Sequence, residues 1–376
     1  MEAILNNANV AGMKTLNLYV LKNFVLTLCM SVFIVIFGVM GARTLKIFEA
    51  IARGVPISDA MLALYYFMPM SLTITIPVGM LVATMLVFGR MSANNEITAM
   101  RACGISILQI ISPLIVLSFL LSCFCLFLQL ELGPRYAEKA AKLLKSIAIT
   151  RPLSIIQPGT PINYQGSSIY IGDVIDKTRI KDIQIFQFDK KEKYLKKDIT
   201  AASGKIMVDK KKQLLIVQLF DASIVQYSKK KSRPDRTFTE KFELILDYGK
   251  KANDIKIGKS LDALTYKEIF GRIIMYRKRG MPTLRLEMKL NQRLALGLAP
   301  IAFLLLGLPL AIRTSRRETS VGLIISVGMA GVYFISIMIF DAFSMYPKIH
   351  PEFLVWIPNI LYQMGGLFFI WKISKR

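Results

Sequence analysis

The sequence predicts an α-helical membrane protein of six transmembrane helices carrying one inserted all-β domain. Three observations predict it. Six long uncharged runs lie along the chain, three before and three after a polar stretch over residues 132–288. Charge is segregated in the same way. The polar stretch itself is built of short β-branched and aromatic segments separated by turn-forming residues.

The runs are Val25–Ala42, Ala60–Gly89, Ile105–Leu130, Leu294–Ile312, Val321–Phe340 and Phe353–Ile370. Each reaches or exceeds the roughly 18–20 residues that a helix needs to cross the hydrocarbon core of a bilayer. Helix is the expected form because backbone amides find no water partners in lipid. The first run is too long for a signal-peptide core and lacks a small-x-small exit, so it reads as a retained span. Residues 1–12 are polar and unpatterned, and Met13 is an alternative start to Met1. The expected divisions are a terminus at 1–22, spans 1–3 at 23–131, the β domain at 132–288, and spans 4–6 with the C-terminus at 289–376.

The 376 residues are 53% hydrophobic and 20% charged, with a formal net charge of +24. Such a balance is also that of nucleic-acid binders, but its distribution argues against that reading. Of the 49 Lys and Arg, 33 lie in residues 132–288, against 17 acids there, and most others flank the spans. Lys14 and Lys22 precede span 1, Arg90 and Arg101 separate spans 2 and 3, and Arg313, Arg316 and Arg317 separate spans 4 and 5. Lys372, Lys375 and Arg376 close the chain. By the positive-inside rule both termini are cytoplasmic and the large insert lies outside, since long domains cross regardless of charge. Cys29, Cys103, Cys123 and Cys125 are all in or beside the spans, so the outer domain folds without disulfides.

Within the insert, Ser168–Val174, Asp182–Phe188, Lys205–Val208, Gln213–Phe220, Ser223–Tyr227 and Thr237–Leu246 read as strands. Phe242, Leu244 and Leu246 share one face, with Glu243 and Ile245 on the other. Asp209–Lys212 and Ser228–Asp235 suit turns. Many short strands at this spacing predict a sandwich or jelly roll. Thr265–Arg279 has helical character and stops at Gly280–Met281–Pro282. The runs Lys210–Lys212 and Lys229–Lys231 read as solvated turns.

Arg90–Ser106 reads R-M-S-A-N-N-E-I-T-A-M-R-A-C-G-I-S. Ser92, Asn94 and Asn95 are candidate N-caps and Gly104 is a stop, which leaves room for two or three helical turns over residues 90–104. Ile97 and Met100, with Ala93 or Ala99, give such a helix an apolar side, and Glu96 and Arg101 give it polar contacts. On composition alone this is either a membrane-surface loop or a coupling helix that docks into a partner.

Here a resemblance becomes specific. E-I-T-A-M-R-A-C-G resembles the signature loop of the LptF/LptG permease family, the inner-membrane components of the lipopolysaccharide exporter, and is closer to LptF. The opening M-K-T-L-N-L-Y-V-L-K-N-F, the stretch N-Q-R-L-A-L-G-L-A-P…G-L-P-L-A-I and P-E-F-L-V-W-I-P-N-I are similar to the family's start, fourth span and sixth span. The likeness covers nearly everything after residue 12. It implies an inner-membrane permease subunit paired with a second, homologous permease. It further implies a dimer of cytoplasmic ATPase subunits, a periplasmic jelly-roll bridge protein as acceptor, and lipopolysaccharide as cargo.

The resemblance also assigns roles. The loop between spans 2 and 3 docks onto the ATPase, with Glu96 as the paired carboxylate and Ile97, Met100 and Arg101 beside it. Cations at the outer end of span 1, Arg43 and Lys46 with Arg53, break the positive-inside pattern. They read either as interfacial anchors or as headgroup ligands, and the resemblance implies the second for Arg43 and Lys46. Gly322, Ser326 and Ala330 form a small-residue stripe at i, i+4, i+8 that permits close helix approach. In the resembled family that span packs against span 1 of the partner permease. The insert becomes a periplasmic jelly roll whose interior takes acyl chains, with Ile183, Ile185, Phe186, Val217, Leu219, Phe242 and Leu244 as candidate lining.

Catalytic signals are missing. Gly258–Lys259–Ser260 ends like a phosphate loop, but Asn253 stands where its first Gly belongs. The single histidine, His350, sits in a short outer loop, and Asp341 ends span 5. The expectation is a non-hydrolytic subunit with no cofactor and no metal. The alternative is a membrane-anchored assembly scaffold with a β domain and no transport.

Overall fold

The computed structural model describes residues 2–52, 54–150, 159, 162–164, 167–175, 179–188, 195–209, 214–227, 234–247, 259–314, 319–345 and 350–375. Arg53, Arg316, Arg317 and the runs Lys210–Lys212 and Lys229–Lys231 lie outside the described residues. The chain divides into two compact units. One is Met1–Thr44, Leu64–Ala140 and Lys259–Arg376; the other is Leu45–Ala63 and Ala141–Gly258.

Helix α1 runs Glu2–Ala52 and α2 runs Ile57–Ala93. The residues ahead of span 1, unpatterned in sequence, therefore continue its helix. At 1.5 Å per residue α1 spans roughly 76 Å and α2 roughly 55 Å, against a hydrocarbon core of about 30 Å, so both project well beyond it. Next come α3 (Glu96–Ala102), α4 (Ile107–Phe127), a π turn (Leu128–Leu132) and α5 (Gly133–Thr150). After the strands follow α6 (Tyr266–Lys278), α7 (Leu284–Gly297), α8 (Ala299–Thr314), α9 (Thr319–Ala342), α10 (Pro351–Leu354) and α11 (Ile357–Ser374).

Five helices are long and apolar enough to cross a membrane, and counting α7 with α8 as one broken span gives six. That pair bends by 45°. The break has a local cause: Pro300, just inside α8, has no N–H for the turn before it, and its ring crowds that turn. Span 4 is thus two helices, where its sequence predicts one starting at Leu294.

The bundle core joins all the spans. Val20 and Phe24 of α1, Met80, Leu81 and Phe88 of α2, Ile110 and Leu114 of α4, Phe303 and Leu308 of α8 and Tyr333 of α9 belong to one buried cluster. Fully burying a large apolar side chain contributes about 1.5–3 kcal/mol in water, but lipid tails are as apolar as Leu, so fit must decide between helix partners here. Close approach supplies it where α8 meets α11. A Cβ at Gly366 would collide with the backbone of Leu305 and Leu306, so only glycine lets the two helices lie this close. Polar links add direction: Asn359 Nδ2 donates to the Ala295 carbonyl at 3.0 Å, and Tyr362 Oη to that of Met329 at 2.8 Å.

Arg293 is the exception inside this bundle. Its side chain is buried, only 4% exposed, yet its guanidinium donates to the carbonyls of Leu261 at 3.0 Å, Asp262 at 2.9 Å and Leu264. These carbonyls belong to the 3-10 turn Leu261–Ala263 and the residue closing it. Three directed acceptors meet the fork of donors that arginine presents. Nearby, Lys259 bridges Glu138 at 2.8 Å and Glu268, and both carboxylates hold its ammonium above the ordinary lysine range.

The other unit holds one six-stranded antiparallel sheet in the order β1-β2-β3-β4-β5-β6. The strands are β1 (Ile162–Tyr164), β2 (Ser167–Val174), β3 (Arg179–Phe188), β4 (Leu195–Asp209), β5 (Leu214–Gln226) and β6 (Asp235–Asp247). Every strand pairs with its sequence neighbours. The described strands thus form one up-and-down sheet, not the two facing sheets of a sandwich. The two short strands expected at 213–220 and 223–227 are one, and β4 begins ten residues before the expected Lys205.

A crease explains the misreading. In β3 the buried residues are Ile180, then Ile183 and Ile185; in β5 they are Val217 and Leu219, then Ala222. The alternation therefore slips by one between Ile180 and Ile183 and again between Leu219 and Ala222. At both slips the outer residue is an aspartate with positive φ, Asp182 at 51° and Asp221 at 53°. The pairings Lys181↔Ser203 and Ile183↔Ala201, then Ser203↔Phe220, put the two slips on one transverse row of the sheet. One face consequently stays apolar on both sides of the crease. Ile183, Ile185, Val217 and Leu219 point into it and Phe242 and Leu244 pack against it, while Phe186 stands on the opposite side of β3 by alternation.

Candidate functional site

The segment joining spans 2 and 3 is helical where the sequence predicts it. Asn95 is the N-cap of α3, in the left-handed region (φ 59°) that Asn tolerates, although its side chain makes no capping bond. At the other end Gly104 N donates to Arg101 O at 2.9 Å and Ile105 N to Met100 O at 3.1 Å, with Gly104 at φ 83°. This is a Schellman stop, which needs a residue without Cβ penalty. Ser106 then caps α4: its backbone N–H donates to Gln109 Oε1 at 2.8 Å and its Oγ accepts from Gln109 N at 3.3 Å.

Two side chains hold Glu96. Tyr19 Oη donates to one carboxylate oxygen and Asn94 Nδ2 to the other, each at 3.3 Å. Ser92 Oγ donates to the Ile312 carbonyl at 3.2 Å, which ties the end of α2 to that of α8. Ile97 is only 5% exposed and Met100 packs on the same core, so these two seat the helix in its own bundle. An apolar residue on a seven-residue helix goes where burial is available. The face left open carries Thr98, Ala99, Arg101 and Ala102. Thr98, Ala102 and Tyr19 are missed by a reading that seeks an apolar docking stripe.

Gly104→Ala should loosen this segment by about 1–2 kcal/mol, the usual cost of a left-handed residue with a Cβ. Hydrogen exchange of the solubilised protein should show faster exchange across residues 96–105, with the global melting temperature little changed.

At the far end of the first span, Arg43 and Lys46 stand three residues apart on α1 and so share a face. The Arg43 guanidinium lies 4.6 Å over the Phe67 ring, while Lys46 is exposed. Tyr65, Tyr66 and Tyr136 cluster at that end of the bundle, with Tyr65 and Tyr136 hydroxyls 3.2 Å apart and Lys139 4.9 Å over the Tyr136 ring. Tyrosines at this depth match the aromatic belt of membrane interfaces. They are residues that the charge pattern alone does not reveal.

The spans differ sharply in how far the chain covers them. In the most apolar stretch of α2, 72% of residues are buried, against 17% in α1 and 22% in α9. Phe33, Ile34 and Phe37 of α1 and Ile324, Val327, Ile335 and Met338 of α9 face outward. The small-residue stripe of α9 does not. Ser326 and Ala330 are buried and Gly322 lies against Met85 of α2. Within this chain the small side chains of the stripe pack inward, and bulky residues make the open face.

Among the described residues no three His, Cys, Asp or Glu side chains come together as a metal site. The model of the family described as lipopolysaccharide export system permease LptF/LptG matches residues 18–372. The chain belongs to the LptF/LptG family. The match takes in α1 from Leu18, the α3 segment, the whole β unit and α11 to Lys372, and the family description covers both members of the permease pair. No individually curated protein matches the sequence. Membership makes the protein a multi-pass transport subunit of lipopolysaccharide export, not a hydrolase, and accounts for a helical bundle with an inserted antiparallel sheet.

Proposed function

We propose that this protein is a permease subunit of an ABC transporter that extracts lipopolysaccharide from the inner membrane and passes it to a periplasmic bridge. The family match over residues 18–372 carries the reading. In it, both termini and α3 are cytoplasmic and the sheet is periplasmic, as the charges of the short loops favour. The open faces of α1 and α9 meet a homologous permease and enclose the lipid between them. Arg43 and Lys46 then hold the phosphates of the glycolipid headgroup, as charge-assisted pairs do.

A cytoplasmic ATPase dimer drives the cycle through α3, with Glu96 as the charged contact and Arg101 beside it. ATP binding draws the two permeases together and narrows the space between α1 and α9. The displaced acyl chains move onto the apolar face of the sheet and along it toward the bridge protein.

The cation assignment is tested by reversing both charges. Arg43→Glu with Lys46→Glu should weaken lipopolysaccharide binding by roughly tenfold or more, at about 1 kcal/mol per cation near a membrane surface. Photocrosslinking of the assembled complex from a probe at Phe37 reads it. Unaltered crosslinking would remove both residues from the headgroup site. Co-purification with an ATPase and a second permease separates transport from a scaffold role.

A further inference from the structure

At the end of the bundle that carries α3, a groove of about 480 Å3 opens between three helices. Arg101 of α3, Arg313 at the end of α8 and Lys372 at the end of α11 line it, and no acidic residue among the described residues does. None of the three cations has an ion-pair partner among the described residues. Leu310, Phe369 and Ile373 supply apolar lining. Leu310 precedes Arg313, and Phe369 precedes Lys372, by three residues on helices that lead back into the membrane. Each of these cations therefore has an apolar residue one turn deeper.

Like charges brought to one mouth repel unless a counter-charge sits among them. The sequence of depths selects the counter-charge: an anion at the interface, joined to hydrocarbon one turn further in. We propose that this groove binds an anionic phospholipid, its phosphate among Arg101, Arg313 and Lys372 and its nearer acyl chain along Leu310 and Phe369. Basic pockets between membrane helices take such headgroups. An acidic side chain of a protein partner would satisfy the cations but leave the apolar lining uncovered. A neutral phospholipid would cover the lining but would leave the net charge of the mouth unbalanced. The bound lipid would tie α3 to α8 and α11, so the seating of the coupling segment would respond to the surrounding membrane. The orientation proposed above sets only which leaflet supplies the lipid; binding does not depend on the transport role.

The full-length protein in mild detergent, titrated with palmitoyl-oleoyl phosphatidylglycerol or the matching phosphatidylcholine and read by native mass spectrometry, tests this. The unaltered protein should hold one phosphatidylglycerol in preference to phosphatidylcholine. Arg313→Gln with Lys372→Gln should lower that preference roughly tenfold or more, while Arg313→Lys with Lys372→Arg should keep it. Equal retention of the two lipids by the unaltered protein overturns the proposal. So does a preference that survives in a glutamine variant with unchanged melting. A glutamine variant that keeps the lipid but no longer captures the cytoplasmic ATPase assigns the groove to an acidic protein partner, which also overturns it. If the glutamine variant does not fold, the lipid comparison on the unaltered and charge-conserving proteins decides. Changing Arg43 and Lys46 should leave phosphatidylglycerol retention intact, which separates this site from the proposed lipopolysaccharide site.

Discussion

Glu96→Ala is expected to uncouple the permease from its ATPase. A hydrogen-bonded contact to a charged group contributes about 1.5–3 kcal/mol, so capture of the ATPase subunit should weaken on the order of tenfold to a hundredfold. The carboxylate is pre-oriented: Tyr19 Oη and Asn94 Nδ2 each lie 3.3 Å from it, one per oxygen. Two further variants separate charge from position. Glu96→Gln keeps the shape and loses the charge, and should behave nearly like alanine. Tyr19→Phe keeps the charge but frees one oxygen, and should weaken capture only severalfold. Affinity of the solubilised permease pair for the ATPase, with lipopolysaccharide release from proteoliposomes, measures both effects. Full capture and full release by Glu96→Ala would end the assignment.

Arg293→Met should be the most destabilising single change in the bundle. It removes the donors serving three carbonyls around the turn Leu261–Ala263, just ahead of α6. A buried acceptor left unserved costs about 1–3 kcal/mol, and since the Leu264 carbonyl is buried and the other two partly so, a loss of about 2–3 kcal/mol is expected. Thermal melting in detergent should fall by several degrees. Arg293→Lys retains charge but concentrates it at one point, and cannot reach three acceptors as the planar fork does, so it should fall between. Arg285→Ala, on the exposed side of the same helix, should melt like the unaltered protein. Normal melting of Arg293→Met would show that these bonds contribute little.

Much of the architecture was legible because lipid imposes a rule that short windows obey. A run such as Val321–Phe340 has no soluble explanation, and the cations of short loops order the ends. The helix at 96–102 was legible too, since its stop is a glycine and its caps are asparagines. The positions of β2, β3 and β6 followed from β-branched runs in the same way, whereas β1 and the first half of β4 did not. The motif E-I-T-A-M-R-A-C-G carried the family, which composition did not.

What escaped reading was whatever depends on which surface a side chain meets. Gly322, Ser326 and Ala330 permit close approach to any helix; only the tertiary structure shows Ser326 and Ala330 buried within their own chain and Gly322 against Met85. Ile97 and Met100 make an apolar side whether they face a partner or their own core, and burial in the core came first. Arg293 looks like any basic residue beside a span until the turn at Leu261–Ala263 brings carbonyls to it. Asp182 begins one expected strand and Asp221 falls between two others, yet pairing across β3, β4 and β5 puts them on one row of the sheet. Hydrophobicity and backbone chemistry act along the chain, so they can be read from it. Choice of partner compares surfaces distant in sequence, and that comparison exists only once the chain has folded.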